Sequence, residues 1–470
     1  MISERRMERR RGNDSNGAGS RANALGLRRG FWRAALALST VLVLGSACKK
    51  GDQAGGDKSD KKPILIGITA DASGQYAASG DSDKRGVIMA INEFNARGGL
   101  LGRQIKWIHA DTESTPATGS RVAERMITQD KVDFLIGAMS SGVANAISQV
   151  AQKYGVVYLN TNSSSPSESG ENCHRTKFVW DGNGNNFAQA AVKGAIGKFG
   201  KKWLLITNDY GWGHDTSNAT RKLATENGAT IVDELLVPQG TRDFGATLLK
   251  AQQKHAEVIA AAVGGDDLKA MRTQVSQMKL GSKYAWINNQ QDWPDVYGLP
   301  KTDIFGVFGT TWYYGFDLPG VKEFNARYQK ENADSKIKTP GNVFYNGYWA
   351  TRSLLETIEK AKTTNNHAVI KELEQLRIPA TVRMQHHDAF MNPKTHQLQQ
   401  TIYLATANMD SKDPRICSRS SPTRRPTRSS TRKPTRNASS NRSRRPPFIP
   451  LRLLPNDGNA IGHARLRLSS

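Results

Sequence analysis

The sequence predicts an α/β fold built on parallel sheets. Three observations lead there. Short β-branched or aliphatic runs recur along the chain, the first at residues 64–69 (ILIGIT), and such runs suit strands buried on both faces. Between the runs, apolar residues fall at helical spacing, as Val87, Ala90, Ile91 and Phe94 do. The first run leads into a small polar Gly/Ser loop at 71–80, at the strand end where open α/β sheets take their ligands. A chain of 470 residues holds two such units with substantial cores.

In chain order, strands are expected at 64–69, 104–109, 134–136 and 156–159 in a first unit. A second unit has them at 203–207, 230–236, 258–262, 284–287 and 307–311. Helical patterns fill the gaps: one through Phe94 that stops at Gly98-Gly99, then 118–129, 142–153, 187–199, 215–227, 244–253 and 268–279. Residues 342–361 form a long amphipathic helix, 368–376 a shorter one, and 399–405 a last strand. Strands alternating with helices of this length indicate parallel sheets.

Two segments carry a family resemblance. The pattern S-G-Q-Y-A-x-x-G at 73–80 and the helix ending N-A-R-G-G-L-L-G-R at 95–103 resemble the opening of the branched-chain amino-acid-type solute-binding proteins of ABC transporters. The similarity runs from about residue 63 to about residue 408. It implies the type I periplasmic-binding fold: two lobes, each a parallel sheet flanked by helices, joined by three hinge crossovers. By that resemblance lobe one is 63–182 plus 312–380 and lobe two is 183–311 plus 381–410. The ligand lies between them, and binding closes the hinge.

The net charge of +24 points to nucleic acid only until its distribution is read. Residues 1–47 carry nine Arg and three acids, and 415–470 carry fourteen Lys/Arg and one Asp. The body between is nearly balanced, so no nucleic-acid partner is expected. Residues 34–44 (AALALSTVLVL) form an apolar core of signal-peptide length after a basic stretch with Arg28-Arg29,. Gly45-Ser46-Ala47-Cys48 follows and resembles a lipoprotein cleavage box, with Gly45 where Leu is usual. The reading is a signal peptide at 1–47, lipidation of Cys48 and membrane attachment through it, and a flexible linker at 48–62. A soluble protein cleaved nearby is the alternative. Export leaves Cys173 and Cys417 in an oxidising compartment, with no pairing assigned. Residues 411–470 change abruptly to Arg, Ser and Pro. They read as a disordered basic tail, either a functional arm or the product of a shifted reading frame; the abruptness favours the second.

The candidate ligand-binding residues sit at strand ends. Tyr76 lies in the first loop, where the family often places a tyrosine against the ligand. Ser140 and Ser141 open a helix, and free N–H groups there suit a carboxylate, though capping alone explains a serine at that place. Asn162, Ser163 and Ser164 follow the fourth strand and match the family loop that supplies hydroxyl and backbone contacts. Asp181 lies at the first crossover. Tyr210 precedes G-W-G and suits a closing wall. Gly265 and Asp266 follow strand 258–262, where an acid at a helix start also favours the helix dipole. Gln290 and Gln291 stand where amino-acid binders of the family often carry a Glu for the ligand's ammonium. Asp292, Asp266 or Asp181 are the available substitutes; failing these, the ligand is an amide, a urea-like compound or an organic acid.

No catalytic pattern appears. Residues 137–142 (GAMSSG) do not form G-x-S-x-G, and neither a phosphate-binding P-loop nor H-E-x-x-H is present,. His386-His387-Asp388 reads as a turn before the last strand rather than a metal cluster. A receptor without catalysis or cofactor is expected: a monomer that binds a small solute and delivers it to an ABC permease. A ligand-sensing regulator on the same fold is the alternative.

Overall fold

The computed structural model describes residues 62–195 and 198–407. The expected leader, Cys48, most of the linker, Cys417 and the basic tail lie outside the described residues.

The first sheet holds β1 (Ile64–Ile68), β2 (Ile105–His109), β3 (Phe134–Gly137), β4 (Tyr158–Asn160) and β5 (Lys177–Val179), in the order β2-β1-β3-β4-β5. All its pairings are parallel. Helices α1 (Ala77–Ala96), α2 (Pro116–Thr128) and α3 (Ser141–Tyr154) connect its strands. The sheet has helices on both faces, which is why β1 and β3 are buried almost throughout,.

After β5 the chain crosses into α4 (Gly184–Ala195) and a second sheet. Its elements are β6 (Lys202–Asn208), α5 (Gly211–Glu226), β7 (Thr230–Val237), α6 (Gly245–Gln253), β8 (Val258–Ala262), α7 (Gly265–Gln277), β9 (Ala285–Gln290), α8 (Trp293–Val296) and β10 (Val307–Thr310). The chain then returns to the first core. There α9 (Val321–Glu331) and α10 (Asn342–Ala361) pack, with α10 along α1. Helix α11 (Asn366–Leu373), strand β11 (Arg377–Ile378), the short α12 (Ala380–Arg383), β12 (Ala389–Met391) and β13 (Leu398–Gln399) follow. A last crossing places β14 (Tyr403–Thr406) antiparallel to β10, giving the order β14-β10-β9-β8-β6-β7. The chain therefore crosses between the sheets three times.

Several expectations are corrected. The strand expected at 399–405 is two pieces, β13 and β14, in different sheets. Residues 381–399 do not join the second lobe: Met384, Ala389, Met391 and Leu398 are buried in the first core, so the return falls near residue 400. Helix α5 begins four residues earlier than the pattern suggested, at Gly211, because the Y-G-W-G stretch reads as a loop by composition. Three short strands, β5, β11 and β12, are too brief for a periodicity signal, and α9 is strongly polar, with only Val321, Phe324 and Tyr328 buried.

Among the described residues no helix is long and apolar enough to cross a membrane. Among the described residues Cys173 has no disulfide partner, and its Sγ lies 3.5 Å from the Thr395 carbonyl.

Candidate functional site

The carboxyl ends of β1, β3, β4, β6, β8 and β9 face one another across a cleft between the sheets. The loops leaving them border about 320 Å³ of empty space, open solvent included. Its walls include Tyr76, Met139, Asn162 and Ser164 from the first lobe and Tyr210, Trp212, Gly264, Gln290, Asp292 and Asp295 from the second. Each follows the end of a strand, except Gln290, which is the last residue of β9.

The lobes touch directly. The Tyr76 and Tyr210 hydroxyls are 2.5 Å apart. Gln75 Nε2 donates to the Gly264 carbonyl at 2.9 Å, and Asp266 N donates to the Gln75 carbonyl at 3.2 Å. Trp212 N donates to Ser141 Oγ at 3.1 Å, and Ser164 Oγ donates to Gln290 Oε1 at 2.6 Å. Ser79 Oγ donates to Asp295 Oδ1 at 3.2 Å. Gly265 has φ +62°, and a Cβ there would fall 2.8 Å from Tyr76 Cε1 and 2.9 Å from the Gln75 carbonyl. A hydrogen at that place lets the two loops meet.

The cleft is rich in buried carboxylates. Gln290 Nε2 donates to Asp181 Oδ2 at 3.0 Å and to Asp292 Oδ1 at 3.2 Å. Asn346 Nδ2, from α10, donates to Asp181 Oδ1 at 2.9 Å and to Asn162 Oδ1 at 3.1 Å. Asn342 Nδ2, one turn earlier, donates to Asp292 Oδ1 at 2.6 Å. Asp295 Oδ2 accepts from Gly265 N at 2.9 Å. Burial, then the neighbouring Asp292, holds both Asp181 and Asp295 well above the usual carboxylate range, and burial raises Asp292,. No Lys, Arg or His lines the cavity. The nearest buried cations stand behind it: Arg272 bears on Asp295, and Arg383 on Asp181.

The residues singled out in the sequence divide into four groups. Tyr76, Asn162, Ser164, Tyr210 and Gln290 line the cavity. Ser140 and Ser141 are buried at the start of α3, without a side-chain cap bond from Ser140, while Ser141 serves the lobe contact just described. Asp181 is fully buried behind Gln290. The others are engaged elsewhere. Ser163 Oγ donates to the buried Glu168. Asp266 pairs with Arg242 at 3.1 Å on the surface. Gln291 Oε1 accepts from Arg272 Nη2 at 2.5 Å, on the opposite side of the sheet end from Gln290. Gly265 shapes the contact with Tyr76. Sequence reasoning missed Met139, Trp212 and Asp295 as cleft residues. Asp292 stands at the N-cap position of the short α8, without a side-chain cap bond, and Asp295 follows in the first turn, so the D-x-x-D spacing reads as capping unless the facing lobe is known. His386 Nδ1 lies 3.0 Å from the Tyr403 hydroxyl, and Asp388 Oδ1 accepts from Ala380 N at 2.7 Å. Among the described residues no group of three metal-ligating side chains occurs.

Other buried acids tune stability. Asp83 is raised to about 8, Glu168 to about 7 and Asp267 to about 6, each chiefly by burial. All three lie above their unfolded values, so the folded state holds protons that the unfolded chain releases. Stability therefore falls as pH climbs from about 4 through these values. Glu93 and Asp111, both lowered, contribute stability that is lost only below about pH 4. The ligand-free protein is expected to melt at least about 3 °C higher at pH 5.5 than at pH 8. Calorimetry at the two pH values checks this; a higher melting temperature at pH 8 would contradict it.

Two α/β lobes, three crossings and a cleft at the carboxyl ends of both sheets define a hinged solute receptor. The model of the family described as periplasmic binding protein matches residues 63–413, and the chain belongs to that family. It is 29% identical over 310 residues to the Leu/Ile/Val-binding protein BraC3 of Rhizobium johnstonii, covering 63% of this chain and 79% of that one. The solved amino acid ABC transporter substrate-binding protein of Pseudomonas fluorescens Pf-5 superposes with a TM-score of 0.69 at 18% identity, covering 77% of this chain and 97% of that one. A Rhodopseudomonas palustris solute-binding protein in complex with 4-hydroxybenzoate gives a TM-score of 0.67 at 20% identity, covering 75% and 95%.

Proposed function

We propose that this protein is the extracytoplasmic receptor of an ABC importer and that its ligand is a small amino acid, with the ammonium group held by Asp292 and Asp295. The observation that carries the ligand class is the pair of buried carboxylates, Asp292 and Asp295, on a cavity wall that no basic side chain lines. A buried charge wants a partner, and an ammonium supplies it. The sequence lacks a Glu at the position usual in amino-acid binders; Asp292, two residues beyond Gln290, and Asp295 take its place. The ligand's carboxylate would meet the start of α3 at Ser140 and Ser141. Tyr76, Tyr210 and Trp212 would wall its side chain.

An aromatic acid, such as the 4-hydroxybenzoate of the solved relative, fits less well. It would bring a carboxylate to a cavity already lined by two. The lobes are taken as residues 63 to about 182 plus 312 to about 400, and 183–311 plus the last strand, a division supported by the burial of Met384, Ala389, Met391 and Leu398 in the first core. The closed form would dock on the permease, and lipidation of Cys48 would tether a monomeric receptor at the membrane.

Calorimetric titration of the ligand-free protein with neutral amino acids, the corresponding amides, and benzoates tests the reading. Amino acids and amino-acid amides both carry the ammonium and are expected to bind, with the acids tighter. Binding of benzoates alone would overturn the ligand class.

The hydroxyl pair closing the cleft gives a second test. Tyr76→Phe or Tyr210→Phe removes one hydrogen bond made only when the lobes meet. The expected cost is about 1 kcal/mol, a roughly fivefold weaker Kd, with the melting temperature of the ligand-free protein little changed. The same titration reads it.

A further inference from the structure

A second hollow lies apart from the cleft, at the edge of the second sheet. It borders about 790 Å³ of empty space, open solvent included. Trp293, Phe308, Tyr313, Tyr314, Tyr403 and Ala407 are among its lining, and no charged side chain is. Trp293, Phe308, Tyr313 and Ala407 are partly exposed, so the hollow opens to the surface. Ala407 is also the last residue described, which means the chain continues to residue 470 from the rim of an aromatic groove.

The continuation contains one dense apolar run. Residues 408–445 are almost wholly polar or basic, with Met409 and Ile416 as their large aliphatic side chains. Residues 446–455 read PPFIPLRLLP. Pro447 and Pro450 form P-x-x-P, and four prolines in ten residues preset the backbone for the polyproline II helix. Aromatic-lined grooves recognise that conformation because it is bound with little loss of chain entropy. A coil joining residue 407 to residue 446 reaches roughly 35 Å, ample for return to the groove.

We propose that this groove is the docking site of the chain's own residues 446–455, bound as an extended polyproline II strand with Phe448, Ile449 and Leu451 against the aromatic wall. The pairing depends only on the side chains present, whatever the origin of the basic tail. It stands independently of the ligand assigned to the cleft.

The test uses the full chain carrying Phe448→Ser, Ile449→Ser and Leu451→Ser together, which leaves residues 62–407 untouched. A fluorescein-labelled peptide of residues 444–456 is titrated by polarisation against this variant and against the unaltered chain. A tethered segment competes at an effective concentration on the order of 1 mM. The peptide is therefore expected to bind the variant, and to bind the unaltered chain about tenfold more weakly. Adding Ala405→Trp to fill the groove is expected to abolish peptide binding while the far-ultraviolet dichroism and melting transition persist. Three results would overturn the proposal: no peptide binding to the folded variant, equal binding to both chains, or binding insensitive to Ala405→Trp. Peptide blockade that grows with protein concentration would place the segment of a second copy in the groove, and would overturn docking within one chain.

Discussion

Asp292→Asn should abolish high-affinity ligand binding while leaving the ligand-free protein at least as stable. Asp292 shares the Gln290 amide with Asp181, and its charge raises the proton affinity of both Asp181 and Asp295. Removing one charge relieves that crowding in the empty cleft. Once the cleft closes on an ammonium, the same change removes its charge partner, which costs about 3–5 kcal/mol for a buried pair, more than a hundredfold in Kd. Asp295→Asn should act in the same direction. The pH dependence is opposite for binding and for stability. A bound ammonium favours the carboxylate form, so affinity is lost as pH falls through the raised values of the empty cleft, while the ligand-free protein grows more stable. Titration calorimetry in buffers of differing ionisation enthalpy should show proton release on binding. Unchanged affinity in Asp292→Asn, with no proton release in the unaltered protein, would remove the ammonium from the site.

Gly265→Val should hold the lobes apart. The new Cβ would meet Tyr76 and the Gln75 backbone, which lie in the facing lobe. Overpacking of this kind costs about 1–3 kcal/mol, and it falls only on the closed state, so Kd should rise between about fivefold and 150-fold. A β-branched residue at φ +62° adds about 1–2 kcal/mol of strain, which lowers stability with the cleft open or closed. Gly228→Val separates the two effects. Gly228 has φ +82° with nothing within 4 Å of a Cβ, so it should lose comparable stability and keep its affinity. Small-angle scattering with saturating ligand should show Gly265→Val more extended than the unaltered protein. Equal affinity losses in the two variants would mean that strain, not the wedge, was being measured.

How much of this was legible beforehand differs between fold and site. Strands such as β1 and β8 are short, aliphatic runs followed within a few residues by Asp or Gly, so their type and place followed from composition. The loops after them read as candidate binding loops because strand ends are where α/β sheets leave backbone groups and side chains free for a ligand. Tyr76, Asn162, Ser164, Tyr210 and Gln290 line the cavity accordingly. The failures are equally particular. Gln290 and Gln291 are alternatives one residue apart, and side chains of an extended segment alternate in direction. Gln290 reaches the cleft, while Gln291 turns to Arg272 and the aromatic groove. Composition gives no way to choose between two adjacent glutamines.

The amino-acid sequence by itself determined the alternation of strands and helices, the polar loops between them and the family pattern. All of these are local, carried by periodicity and by turn residues within a few positions of one another. Only the tertiary structure decided which side chains meet. Asp181, Gln290 and Asn346 converge from three stretches of chain more than fifty residues apart in sequence, and the Tyr76–Tyr210 contact exists only when two sheets face each other. Such pairings are fixed by how separate layers pack and by where the chain crosses between them. The burial that raises the cleft carboxylates is a property of that packing and of no single segment.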